Sequence, residues 1–172
     1  MLRTVTPALI ALALSGCATV PNSAIAIGAA QLVNAEGRQI GSAQITRRGG
    51  ETMIGITIKG TPGAVHGLHL HAVGRCEAPF TSAGPHLNPT GHQHGRDNPL
   101  GAHLGDLPNV TIAASGEGTA STTLAKDPAA FDAAVFDADG TAIVLHAEAD
   151  DYRTDPSGNS GARIACGVVT RS

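Results

Sequence analysis

The chain has 172 residues, enough for one domain with a hydrophobic core, and a formal net charge of −3 at pH 7. This mildly acidic balance argues against a nucleic-acid partner, because phosphate backbones attract basic surfaces. Aromatic residues make up only 2% of the chain, so we expect a core of Ile, Val, Leu and Ala side chains.

The N-terminus has the pattern of an export signal. Arg3 is the only charged residue before Cys17, and residues 8–14 form an apolar run that is too short to span a bilayer. The run ends in Leu-Ser-Gly-Cys, which resembles the lipobox of bacterial lipoproteins, where cleavage leaves a lipidated cysteine. The alternative is an ordinary signal peptide followed by an unrelated cysteine.

These features predict three regions. Residues 1–16 form a signal peptide, residues 17–23 a tether lipidated at Cys17, and residues 24–172 the folded domain. The predicted location is the periplasm, with the protein anchored to a bacterial membrane through its N-terminal lipid alone.

Short runs of β-forming residues follow, separated by turn signals about every ten residues. Ile54, Ile56 and Ile58 alternate with small or polar residues, which is typical of a half-buried strand. The predicted strands are residues 24–33, 39–46, 53–59, 65–71, 109–114, 119–124, 141–146 and 163–169. Eight short strands predict an all-β, antiparallel sandwich or barrel.

Three segments interrupt the strand pattern. Residues 74–107 and 147–162 lack apolar periodicity and predict two long loops, which in a compact domain are usually functional. Residues 127–136 predict a short helical turn that begins at Asp127-Pro128.

Histidines cluster in and before the first loop. His69 and His71 are two apart in a predicted strand, so their side chains leave the same face. Seven of the eight histidines of the chain lie between His66 and His103. Imidazole nitrogens suit zinc and copper, and an added carboxylate such as Asp106 suits zinc. The spacing alone does not divide these residues between metals.

The cysteines predict one crosslink. With Cys17 lipidated, Cys76 and Cys166 remain, and an even pair in an exported chain indicates a disulfide.

The sequence resembles the copper–zinc superoxide dismutases over roughly residues 24–170. The stretches that carry the resemblance are residues 65–71, 81–89, 94–95, 103–107, 144–147, 150–151 and 158–169. The resemblance implies an eight-stranded antiparallel Greek-key β-barrel with two long functional loops. It also implies an oxidoreductase that binds one copper and one zinc per subunit.

The resemblance further implies a role for individual residues. It assigns copper to His69, His71, His86 and His146, and zinc to His86, His94, His103 and Asp106. His86 then bridges the metals and carries a proton, Arg163 attracts the anion beside copper, and Asp150 links ligands of the two metals. It also implies the Cys76–Cys166 disulfide.

The implied reaction converts superoxide to O2 and H2O2 and protects against extracytoplasmic superoxide, in a monomer or a homodimer. Zinc would hold His86 in place and order the loop over residues 74–107. A non-catalytic copper- and zinc-binding protein on the same scaffold is the alternative. A zinc hydrolase is disfavoured because no general base is evident beside an open zinc site. We interpret His66 as a hydrogen-bonded packing residue and His92 as exposed.

Overall fold

The computed structural model describes residues 23–172, so the predicted signal peptide and Cys17 lie outside the described residues. Ten strands and one α-helix occur in this part of the chain. The strands are β1 (Ile25–Asn34), β2 (Gln39–Arg48), β3 (Glu51–Lys59), β4 (Val65–His66), β5 (Leu68–His71), β6 (Val110–Thr111), β7 (Glu117–Ala125), β8 (Ala142–His146), β9 (Arg163–Val168) and β10 (Thr170–Arg171); the helix α1 is Pro128–Val135.

The strands form a curled antiparallel sheet. The order across it is β5-β8-β9-β1-β2-β3-β7, with β10 also paired to β1, and β4 pairs separately with β6. Ala113 N–H, just after β6, donates to Glu117 O of β7, and Leu107 N–H, just before β6, donates to Leu68 O of β5. These bonds join the two outer strands of the sheet, which closes as a barrel.

The connection from β7 to β8 crosses the end of the barrel, because these consecutive strands lie near opposite ends of the sheet order. Such a crossing beside the β1–β2–β3 hairpins is the Greek-key arrangement. The predicted all-β, antiparallel Greek-key fold is therefore confirmed.

Strand alternation fills the core as the sequence predicts. Ile54, Ile56 and Ile58 of β3 are between 1% and 3% exposed, whereas Met53 lies on the outer face and is 39% exposed. The core side chains of the strands are Ile, Val, Leu and Ala, joined at one end by Phe131 of α1.

The predicted helical turn is confirmed as α1. Asp127 caps it, since its Oδ1 accepts hydrogen bonds from Ala129 N–H and Ala130 N–H at 3.0 and 3.2 Å. An ion pair of 2.8 Å between Arg47 Nη2 and Asp132 Oδ1 ties the helix to β2. None of the helices within residues 23–172 has the length and hydrophobicity that a membrane span requires.

One of the eight predicted strands is divided in two, and the last is followed by an additional short strand. Residues 65–71 break at Gly67, whose N–H donates to Glu148 O in the second loop and whose carbonyl accepts from His146 N–H at the end of β8. The last predicted strand, residues 163–169, ends one residue earlier, and β10 follows Val169, whose N–H donates to Thr141 O. The sequence does not mark these strand ends, because residues distant in the chain provide the partners.

The two predicted loops are confirmed as the connections between β5 and β6 and between β8 and β9. The first follows the free edge of β5: Leu70 N–H donates to Gly105 O at 2.9 Å, and Leu87 N–H donates to Leu70 O at 2.8 Å. These bonds hold the neighbouring loop residues His86 and Asp106 beside β5.

Candidate metal centre

Strand pairing and the first loop bring the histidines together on the outside of the barrel. β5 pairs with β8, so His146 at the end of β8 lies near the histidines of β5. The edge bonds of the loop place His86 opposite His71 and Asp106 opposite His69.

Four histidines, which we call the four-nitrogen group, converge in one buried place: His69, His71, His86 and His146. One nitrogen of each ring lies within 4.8 Å of the others. His69 Nδ1 and the Nε2 atoms of His71, His86 and His146 are buried and have no hydrogen-bond partner among residues 23–172. Buried polar atoms are almost always paired, so four such nitrogens facing one another indicate a cation site.

In His71 and His146, a hydrogen bond from the second ring nitrogen, Nδ1, orients Nε2 toward the four-nitrogen group. His71 Nδ1–H donates to Gly84 O at 2.9 Å, and His146 Nδ1–H donates to Gly161 O at 3.2 Å. A carbonyl oxygen can only accept, which leaves the Nε2 lone pair of each ring free for a metal.

Burial keeps the four-nitrogen group uncharged. It lowers the pKa of His71 to about 2, that of His146 to about 3 and that of His86 to about 4, and it also lowers the pKa of His69. Neutral imidazoles have the lone pair that metal binding requires.

A second set, which we call the Asp106 group, consists of His86, His94, His103 and Asp106. Three Nδ1 atoms surround Asp106 Oδ1, that of His94 at 2.9 Å, that of His103 at 3.1 Å and that of His86 at 3.2 Å. His86 Nδ1 and His103 Nδ1 are 3.4 Å apart. A tetrahedral zinc site with bonds of about 2.0 Å has ligand–ligand edges of about 3.3 Å. The Asp106 group therefore has the dimensions of a closed zinc site.

His69 also lies within 4.8 Å of His86, His94 and Asp106. Its Nε2–H donates to Asp150 Oδ2 at 2.8 Å, and its remaining nitrogen is the unpartnered Nδ1 of the four-nitrogen group. His103, which is directly bonded to Asp106, is the better fourth member of the Asp106 group.

Asp150 connects the two groups. Its second oxygen, Oδ1, accepts from His94 Nε2–H at 3.0 Å. Burial lowers the pKa of His94, but the bonds to Asp106 and Asp150 outweigh burial and raise it to about 9. Burial also raises the pKa of both carboxyl groups, yet their histidine partners hold each pKa well below its usual range. The surroundings of His94 thus favour positive charge.

Gly158 lies against this connection and has φ of +62°. A Cβ at this position would overlap Asp150 Oδ1 and lie 2.7 Å from His94 Nε2. The second loop can close over Asp150 only because this residue has no side chain.

Arg163 lies at the start of β9 beside the four-nitrogen group. Its Nη1–H donates to Phe80 O at 2.8 Å and its Nη2–H donates to Gly84 O at 2.7 Å. Gly84 O is the same carbonyl that orients His71. An open cleft of about 970 Å³ includes Arg163, His86 and His146 in its lining.

Comparisons with known proteins agree with this geometry. A family model for copper/zinc superoxide dismutase matches residues 39–169. The chain belongs to the copper/zinc superoxide dismutase family. Copper and zinc are the metals of this family, and its members are oxidoreductases.

Individual relatives cover most of the chain. The superoxide dismutase-like protein YojM of Bacillus subtilis is 42% identical over 147 residues, 81% of this chain and 74% of that protein. A Cu-Zn superoxide dismutase of Aquifex aeolicus is 40% identical, over 81% of this chain and 84% of its own length.

Solved structures share the fold. A double mutant of a SOD-like protein from Bacillus subtilis, in which a tyrosine and a proline are replaced by histidine, superposes with a TM-score of 0.74 at 40% identity, over 84% of this chain and 98% of that one. The Brucella abortus Cu/Zn superoxide dismutase superposes with a TM-score of 0.64 at 23% identity, over 85% and 99% of the two chains. The second likeness supports the fold alone.

In this copper/zinc superoxide dismutase family member, the predicted disulfide is confirmed. Cys76 and Cys166 are bonded, with Cα atoms 5.5 Å apart, and they close a loop with a sequence separation of 90. A crosslink over this separation contributes about 4–5 kcal/mol in the chain-entropy model. It also fastens the start of the first loop to the strand that begins with Arg163.

The two remaining histidines of this family member lie outside both groups. His66 Nδ1–H donates to His146 O at 2.8 Å, which confirms its interpretation as a hydrogen-bonded packing residue. His92 is exposed, as predicted, and its Nδ1–H donates to Ala102 O at 3.1 Å.

Sequence reasoning missed several residues that support the site. Asn109 makes two bonds with the backbone of Asp150, each 2.9 Å, and its own N–H donates to Tyr152 Oη at 2.7 Å. Ser160 lies 3.1 Å from His146. No local pattern identifies these residues, because their partners come from other parts of the chain.

Proposed function

We propose that the protein dismutes superoxide at the two adjoining groups. Two superoxide anions and two protons give one O2 and one H2O2. The electron lost by the first anion is gained by the second, so the reaction needs no other oxidant or reductant.

One observation carries the proposal: the ring of His86 belongs to both groups. Its Nε2 is one of the four unpartnered nitrogens, and its Nδ1 lies 3.2 Å from Asp106 Oδ1. The four-nitrogen group suits copper(II), and the Asp106 group suits zinc. A site for storage of either metal would not need one ring shared between two cations.

Bound copper supplies the one-electron redox chemistry, and bound zinc, which has none, holds its ligands in place. His86 lines the cleft, and its Nε2 in the four-nitrogen group can hold a proton, which it passes to the reduced product. Arg163 carries a permanent positive charge on the cleft wall and attracts the anion. Its two carbonyl bonds fix the guanidinium in position.

Superoxide consumption tests this function. We expect the metal-loaded protein to consume superoxide, the apo protein to be inactive, and the loaded His146→Ala variant to lose most activity because one of four copper donors is gone. His92→Ala is the matched control, since it removes an exposed histidine that belongs to neither group. Equal rates for loaded, apo and His146→Ala proteins would support the non-catalytic metal-binding alternative and reject the enzyme.

We also propose that the protein is exported and lipid-anchored, and that it removes superoxide outside the cytoplasm. The support is the apolar run over residues 8–14 and the Leu-Ser-Gly-Cys sequence that ends at Cys17. Mass spectrometry of the membrane fraction should find an N-terminal peptide that begins with lipid-modified Cys17. Recovery of that peptide with an unmodified cysteine contradicts the anchor.

A further inference from the structure

Ser160 has a buried hydroxyl group between the second loop and the end of β8. The residue is 0% exposed. Its Oγ lies 2.8 Å from Ser157 O and 3.1 Å from His146 Nδ1. Neither the hydrogen bonds of the barrel nor the disulfide requires a hydroxyl at this place.

The direction of both bonds follows from the number of available protons. A serine hydroxyl has one proton, and Ser157 O can only accept, so Ser160 Oγ–H donates to that carbonyl. The lone pairs of Oγ then accept from His146 Nδ1–H. The same N–H is also 3.2 Å from Gly161 O, so it is shared between two acceptors.

We propose that Ser160 is a positioning residue for the copper ligand His146, an inference that rests on the proposed function. By accepting from Nδ1–H, Ser160 fixes the tautomer in which Nε2 has its lone pair toward the four-nitrogen group. The bond also makes the ring a stronger electron donor at Nε2, because partners of the distal N–H raise the basicity of a metal-bound histidine.

Close packing keeps Ser160 in this position. A Cβ built on Gly67 would lie 3.0 Å from Ser160 Cβ, so the break between β4 and β5 and the second loop are already in close contact there. Ser160 O accepts from Glu148 N–H at 2.9 Å, and Gly67 O accepts from His146 N–H at 2.9 Å. Serine and histidine therefore belong to one backbone network and cannot move apart independently.

Removing the hydroxyl should affect copper but not zinc. In Ser160→Ala, we expect copper affinity to fall by about 10- to 100-fold, the range for loss of a partner to a metal-bound histidine. The copper reduction potential should rise, because a weaker donor stabilises copper(II) less. Zinc affinity should stay the same, since Ser160 contacts no member of the Asp106 group.

The experiment uses the full-length protein loaded with copper and zinc. Competition with a chelator measures each metal's affinity, electron paramagnetic resonance measures the copper(II) geometry, and redox titration measures the potential. Ser160→Thr keeps the hydroxyl and should retain the wild-type spectrum and potential. Ser121→Ala, which removes an exposed serine hydroxyl on β7, is the control for serine loss.

Two results would overturn the inference. One is a Ser160→Ala protein with wild-type copper affinity, spectrum and potential. The other is an equal loss of copper and zinc with reduced thermal stability, which indicates a structural role alone. The proposed function fails separately if the His146→Ala variant binds copper as tightly as wild type or if the wild-type protein does not consume superoxide.

Discussion

At the scale of single residues, Arg163 combines two tasks. It is half-buried, and burial lowers its pKa, yet arginine stays charged in proteins. Its carbonyl partners, Phe80 O and Gly84 O, lie in the first loop. The disulfide anchors this loop near its start, at Cys76. The side chain thus presents charge to the cleft and holds the loop that carries His86.

Two replacements of Arg163 distinguish the effect of its charge on the rate from the effect of its bonds to the loop. We expect Arg163→Ala to lower kcat/KM for superoxide by at least about 10-fold, because the local field that attracts the anion is lost. Arg163→Lys keeps the positive charge but not the paired bonds to the two loop carbonyls, so we expect it to keep part of the wild-type rate. Copper content and the copper(II) spectrum of each variant are measured beside the rate, because Arg163 also bonds the carbonyl that orients His71.

Arg38→Ala is the matched control, since it removes the same charge from a mostly exposed turn residue. Steady-state rates at several salt concentrations make the measurement. A rate for Arg163→Ala equal to that of the control, at low salt, contradicts the assigned role.

At the scale of elements, an ion pair joins α1 to β2, beside the packing of Phe131 in the core. Arg47 contacts both oxygens of Asp132, at 2.8 and 3.3 Å, and the two side chains are 20% and 29% exposed. The bond to Arg47 lowers the pKa of Asp132. Because both side chains are partly shielded from water and make two bonds, we expect the ion pair to stabilise the fold by about 1 kcal/mol.

The pH dependence follows from the sign of that shift. A carboxyl whose pKa is lower in the folded chain stabilises the fold above its unfolded pKa of about 4, and this contribution disappears as pH falls through the folded pKa. We expect Asp132→Asn to destabilise the protein at pH 7, and the difference from wild type to disappear as pH falls below the folded pKa of Asp132. Denaturant unfolding at each pH measures the difference.

Asp139→Asn, which changes an exposed carboxylate in the turn after α1, is the control. A difference between Asp132→Asn and wild type that stays constant from pH 7 to the acid range would exclude the ion pair as its cause.

At the scale of the whole molecule, the barrel has its own apolar core, whereas its long loops contribute few side chains to that core. The core cluster draws most of its side chains from the strands, whereas the first loop is fixed by edge bonds to β5, by the disulfide and by the Asp106 group. Zinc at that group would replace missing apolar packing, in the way that structural metals stabilise small folds.

Removal of zinc should therefore loosen one part of the molecule. With the disulfide oxidised, we expect a zinc chelator to increase amide hydrogen exchange over residues 86–106 and 150–160, while β2 and β3 keep their protection. Mass spectrometry of deuterated peptides measures both regions in one sample. A uniform increase across barrel and loops, or none, contradicts this division.

The sequence by itself determined the features that depend on local periodicity and charge. Alternation of isoleucines placed β3 with its inner face in the core, Asp127-Pro128 began α1, and the two-residue spacing of His69 and His71 put both on one face. Resemblance to a family then supplied the division of ligands that spacing left open. These features survive folding because each rests on a few neighbouring residues.

Only the tertiary structure decided which atoms face one another. His86, His94 and His103 lie in a segment without periodicity. Edge bonds to β5 bring His86 and His103 to Asp106, and a bond from His94 N–H to Asp155 Oδ1 holds His94. The break at Gly67 and the hydroxyl of Ser160 likewise depend on partners about 80 residues or 14 residues away. Orientation of a ring is set by the acceptor behind it, and such acceptors are placed by the closed barrel rather than by the local sequence.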